Sequence, residues 1–161
     1  MGGVNLACSG ATTATSNGTY FKPGIDFYDD GAGHRGQAAM LQSFAAAHNV
    51  GMVVVSIGGN DFHFADIVQS CVTDFLASPT WWKDYCRDDS SVTKNFTAAN
   101  VAAVRARIAG AFRNVQTAMR SAGYADSQWT LLVQTYPSPI PRGSGFRYSE
   151  SGYTRQSTGG C

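Results

Sequence analysis

Apolar residues recur along this chain in two distinct rhythms. Val4–Ala7, Met52–Ile57 and Trp129–Gln134 are short continuous runs, the middle one with three consecutive valines, which predicts strands. The composition of Met52–Ile57 is that of a parallel strand covered on both faces. Between the first two runs, Met40, Leu41, Phe44 and Ala47 fall at three- and four-residue steps and predict a helix over 36–48, ended by Asn49 and Gly51. Residues 61–70 read as a second helix leading into Cys71. Thr97 is placed to cap a third, whose apolar face runs through Val101, Val104, Ile108, Phe112, Val115 and Met119 and which ends near Gly123. Residues 16–33 hold turn pairs such as Asn17-Gly18 and Pro23-Gly24 and read as a surface excursion. Residues 72–94 form an aromatic, acidic stretch, and the region after Pro137 is irregular.

Strands that alternate with helices in this order build a parallel sheet with helices on its faces, an α/β class. Ligands of such sheets sit beyond the carboxyl ends of the strands. Ser9-Gly10 and Gly59-Asn60 each follow a predicted strand at once, so both turns are expected on one rim.

The 161 residues, 43% of them apolar, suffice for one core, so 1–161 reads as a single domain. Twelve basic against eleven acidic residues, scattered along the chain, give a net charge of +1 and argue against nucleic acid as a partner. No run approaches the roughly 20 apolar residues of a membrane span, and no basic or apolar leader opens the sequence. Charged residues are 14%, below the roughly 25% of an average soluble protein, with neutral polar residues in their place, as in many exported proteins. The four cysteines form no CxxC pair and no metal-ligand spacing with His34, His48 or His63, so neither a metal nor a cofactor is expected. Cys71 and Cys86 flank the aromatic stretch and point to a local disulfide, with two buried thiols as the alternative; a disulfide implies an oxidising compartment. Cys8 and Cys161 have no local partner.

Ester hydrolysis needs donors aimed at the carbonyl oxygen that becomes negative. Gly10 can bring a backbone N–H close, and Asn60 can project a carboxamide from a tight turn. The run Asn5-Leu6-Ala7-Cys8-Ser9-Gly10-Ala11-Thr12-Thr13 is similar to the second sequence block of secreted SGNH (GDSL-type) lipases and esterases. Val55-Ser56-Ile57-Gly58-Gly59-Asn60-Asp61 resembles the third block, GxND. The resemblance, which also takes in Cys71, Cys86 and Tyr136-Pro137, implies oxyanion donors at Gly10 and Asn60 and a flavodoxin-like three-layer core with a parallel sheet. It further implies a secreted carboxylic ester hydrolase acting on a small-molecule ester or lipid.

The departures are equally specific. No Gly-Asp-Ser tripeptide, the family's nucleophile turn, occurs in the sequence, and no Asp-x-x-His, which would carry the general base. The resemblance places the first before Val4 and the second after Gly159-Gly160-Cys161, so the chain is expected to be the interior of such a domain. In the implied strand order the missing first strand lies between the Val4–Ala7 and Met52–Ile57 strands, which predicts a gapped or rearranged sheet.

Substitutes for the missing groups are weak. Ser9 lies beside the oxyanion turn but has no evident base. His63, near Asp61 and Asp66, is conceivable as a base or ligand and reads better as a capping or solvent-facing side chain; His34 and His48 read as structural. Asp61 is expected to accept backbone N–H bonds at a helix start. Phe62, Phe64, Phe75, Trp81, Trp82 and Tyr85 are candidates for an acyl pocket or, equally, for packing. The sequons at Asn17 and Asn95 carry no assigned function. The expectation is an SGNH-type ester hydrolase core, inactive as this isolated chain. The alternatives are a non-catalytic lipid- or carbohydrate-binding module and a fragment without independent function.

Overall fold

The computed structural model describes residues 2–77, 82 and 84–136. Two chemically different segments build the centre: a long amphipathic helix and a β-branched strand. Helix α4, Ala98–Ser121, starts where the Thr97 hydroxyl accepts the Asn100 N–H at 3.3 Å, the expected cap. It buries Val104, Ala111, Val115, Ala118 and Met119, with Ile108 and Phe112 half-buried, so the face legible in the sequence is the face used.

Helix α1, Gln37–Ala47, lies against α4. Its buried ridge is Ala38, Leu41 and Ala45, while Met40 and Phe44 are half-buried and Ala47 is exposed. The expected face is therefore rotated, because the small alanines let two helices approach where a larger side chain would hold them apart. No side chain caps α1; its first N–H groups bond instead to the carbonyls of Gly24 and Asp26. The loop before α1 is thus part of the framework, with Ile25 in the core. It also contains a small antiparallel pair, β1 (Ser16–Asn17) and β2 (Phe21–Lys22), where only turns were expected.

Strands β3, Met52–Val55, and β4, Thr130–Val133, pair in parallel, with Met52 opposite Thr130 and Val55 opposite Val133. Val53, Val55 and Leu131 face α1 and α4. Met52, Val54 and Leu132 point the other way and are about half exposed, so β3 is not covered on both faces as its composition predicts. Helix α2, Phe64–Ala77, packs on α3 (Ser90–Thr93) and the adjoining 3-10 turns instead of on the sheet. It also runs past Cys71, which makes the start of the expected loop helical. Cys71 and Cys86 are joined by a disulfide that closes this subregion, stabilising it by about 3 kcal/mol on the chain-entropy account, and such a bond suits an oxidising compartment. Among the described residues Cys8 keeps a free thiol; Cys161 lies outside them. No described helix is long and apolar enough to cross a membrane.

Val4–Ala7 is not a strand. A strand requires a neighbour, and Val4–Ala7 has none among the described residues. The Thr130 N–H bonds the Gly51 carbonyl at 3.0 Å and the Gln134 N–H the Val55 carbonyl at 2.8 Å, so the odd residues of β3 direct their backbone groups to β4. Met52 and Val54 direct theirs to the opposite edge, where β3 has no strand neighbour among the described residues. That edge borders a trough of about 1140 Å³ lined by residues 2–7, by 48–56, and by Leu41, Phe44 and Val115. The molecule is mixed α/β with a small parallel sheet; a three-layer flavodoxin-like core is not assembled by the described residues.

Candidate oxyanion site

Beyond β3 the chain turns through Gly58 (φ 113°) into a 3-10 turn, Asn60–Phe62. The positive φ favours glycine here, and a β-carbon on Gly58 would also meet Ile108 Cδ1 of α4 at 2.7 Å. The turn delivers Asn60 and Asp61 toward residues 10–13. Asn60 Nδ2 donates to the Ala11 carbonyl at 2.8 Å. Asp61, buried, accepts the Thr13 N–H at 3.1 Å and the Thr13 hydroxyl at 2.6 Å. Arg107 Nε of α4 stands 3.5 Å from the same carboxylate.

Two turns 49 residues apart are therefore stitched at two adjacent points, Asn60 to Ala11 and Asp61 to Thr13. Gly10 is the residue before the first stitch and holds φ 75°, a left-handed conformation. The structure brings Gly10 and Asn60 into one cluster. Asp61 is corrected: its acceptors serve the other loop, not a helix start, because the 3-10 turn obtains its own bonds from the Gly58 and Gly59 carbonyls. Thr13, Arg107 and Lys22 belong to the site and carry no local signature in the sequence. Lys22 passes over Gly10 so closely that a β-carbon there would collide with its ammonium.

The other candidates are dispersed. Ser9 is exposed, and each histidine is occupied elsewhere. His34 Nδ1 lies 2.7 Å from Asp30 and its ring lies against Phe21; this contact, followed by the Ala32 N–H bond, holds the Asp30 carboxyl below its usual range. His48 bonds the Phe44 carbonyl and stacks on the Phe44 ring at 4.2 Å. His63 is exposed, with φ 52° and Asp66 at 3.5 Å. Phe62 stacks on Phe96, Trp82 is exposed, and Tyr85 carries Arg87 over its ring. Trp81 and the Phe75 side chain lie outside the described residues. Asn95 is buried, its Nδ2 donating to the Ser91 carbonyl at 2.6 Å, which closes that sequon.

One further acidic group lies on α2, three residues after Cys71. Burial, then the negative charges of Asp89 and Asp84, push the Asp74 carboxyl above the usual carboxylate range, while Asp89 accepts the Ser70 hydroxyl. An acid whose folded pKa is raised binds its proton more tightly folded than unfolded, so its contribution is full below about pH 3.9 and lost as pH climbs through the folded value. Asp74→Asn is accordingly expected to raise the melting temperature at pH 7, with the gain shrinking toward pH 3.9. Melting curves across that range check this; a constant offset would contradict it.

Comparison with known proteins yields no match: no family model, no curated protein and no solved structure matches this chain.

Proposed function

We propose that this chain carries the oxyanion-stabilising half of an SGNH-type carboxylic ester hydrolase site, with the Gly10 N–H and the Asn60 carboxamide as the donors. The observation that carries the reading is the 2.8 Å bond from Asn60 to the Ala11 carbonyl, which joins the turn after β3 to the loop holding Gly10. One Asn60 N–H makes that bond and orients the side chain; the other, like the Gly10 N–H, has no acceptor among the described residues. Donors held in place by protein bonds need no reorganisation when charge develops on a carbonyl oxygen.

The nucleophile and base of such a site come from outside these 161 residues. The trough beside β3 supports this: the edge groups at Met52 and Val54, with no strand neighbour among the described residues, suit a further parallel strand, and a strand entering there would run toward the same rim as Asn60. The substrate class is a small-molecule ester or lipid, and the disulfide supports export to an oxidising compartment. The second reading is a lipid- or carbohydrate-binding module, for which the exposed Trp82 and Phe64 are the candidate wall.

Butylphosphonate, a stable anion with the tetrahedral shape of the reacting carbonyl, is expected to shift the NMR signals of the Gly10 N–H and the Asn60 carboxamide along one saturation curve. Asn60→Ala is expected to weaken binding about tenfold, the worth of one charge-assisted bond. Binding that Asn60→Ala leaves intact would contradict the assignment.

A further inference from the structure

The loop that approaches Gly10 brings a charge with it. Lys22 ends the β1–β2 hairpin, whose base is pinned by the Thr15 N–H and hydroxyl, both 2.6 Å from Asp26, and by the Gly24 N–H on the Thr15 oxygen at 2.9 Å. The Lys22 backbone is therefore fixed, and its stem crosses the Gly10 turn, with Cε 3.5 Å and Cδ 3.8 Å from where a Gly10 β-carbon would stand. The ammonium stands where a Gly10 β-carbon would be, one residue before the Ala11 carbonyl that Asn60 bonds.

Lys22 is half-buried, and among the described residues no carboxylate pairs with it and no acceptor bonds it. The nearby acids are engaged otherwise: Asp26 with Thr15 and Tyr28, Asp61 with Thr13 and Arg107. An ammonium drawn partly out of water without a counter-charge favours an external anion over a neutral ligand. Three donors thus crowd one turn: the Gly10 N–H, the free Asn60 N–H and the Lys22 ammonium.

We infer that Lys22 is a specificity-determining residue that makes the Gly10–Asn60 site select esters bearing a permanent anionic group, a carboxylate, phosphate or sulfate, over neutral esters. The inference rests on the oxyanion reading for the position of the ester and on the Lys22–Gly10 contact for the anion.

Monomethyl succinate and methyl butyrate have similar length and differ by one carboxylate. In NMR titrations of the 161-residue chain at low salt, monomethyl succinate is expected to bind about tenfold more tightly, the size of one added charge-assisted contact, and the preference shrinks as salt screens it. Lys22→Gln removes the preference and Lys22→Arg retains it. Lys94→Gln, at an exposed lysine far along the chain, retains it too. Amide dispersion in each variant reports that the fold is intact. A preference that survives Lys22→Gln in the folded variant, or no preference in the parent chain, overturns the inference and leaves the oxyanion reading standing. A Lys22-dependent preference with unmoved Asn60 carboxamide signals supports the anion site and overturns the oxyanion reading. Esters that move neither Gly10, Lys22 nor Asn60 overturn both.

Discussion

Asp61→Ala is expected to lower the stability of the folded chain by about 3 kcal/mol, since it strands buried donors. Asp61 holds two Thr13 groups that water cannot reach, and it faces the Arg107 guanidinium at 3.5 Å. The buried neutral donors dominate the loss; Arg107 is partly exposed, and solvent screens its share. With a denaturant slope of roughly 2 kcal/mol per molar urea, the unfolding midpoint falls by about 1.5 M. Asp61→Asn, which keeps an acceptor and loses the charge, is expected to fall between. The two loops also separate in the variant, so the Gly10 N–H and Asn60 carboxamide signals shift in concert. An unchanged midpoint would mean that the Asp61–Thr13 bonds do not join the loops.

What the sequence disclosed and what it withheld divide along a physical line. Periodicity reports one element's own faces, and α4 has a single broad face, so Val104, Val115 and Met119 were readable before any coordinates. In α1 the same method chose Met40 and Phe44 by hydrophobicity, whereas close packing against α4 selected Ala38 and Ala45 by size. Strand propensity at Val4–Ala7 went unrealised because pairing is a property of two segments, and the edge of β3 stands across a trough. The β3 valines could not announce that one of their faces stays open. Gly10 and Asn60 were legible through motif resemblance, but the strand-end rule that placed them together does not hold, since no strand precedes Gly10 among the described residues; the Asn60–Ala11 and Asp61–Thr13 bonds bring them close instead. Thr13, Arg107 and Lys22 left no trace, since a bond between residues 48 apart has no period.

The central claim is that Gly10 and Asn60 form the oxyanion half of an ester hydrolase, and turnover tests it most directly. The 161-residue chain alone should hydrolyse p-nitrophenyl butyrate no faster than buffer, because it contains neither a Gly-Asp-Ser turn nor an Asp-x-x-His. A chimera should act differently if an apolar strand ending in Gly-Asp-Ser is joined ahead of Val4 and an Asp-x-x-His segment follows Cys161. The added strand has the edge of β3 that lacks a strand neighbour among the described residues to bond, and its serine then emerges beside Asn60. In that folded chimera, ester turnover is predicted to appear, and Asn60→Ala is predicted to lower kcat about 100-fold with KM nearly unchanged, the loss expected for one oxyanion donor. A folded chimera whose serine reacts with a fluorophosphonate while Asn60→Ala leaves kcat untouched would contradict the account.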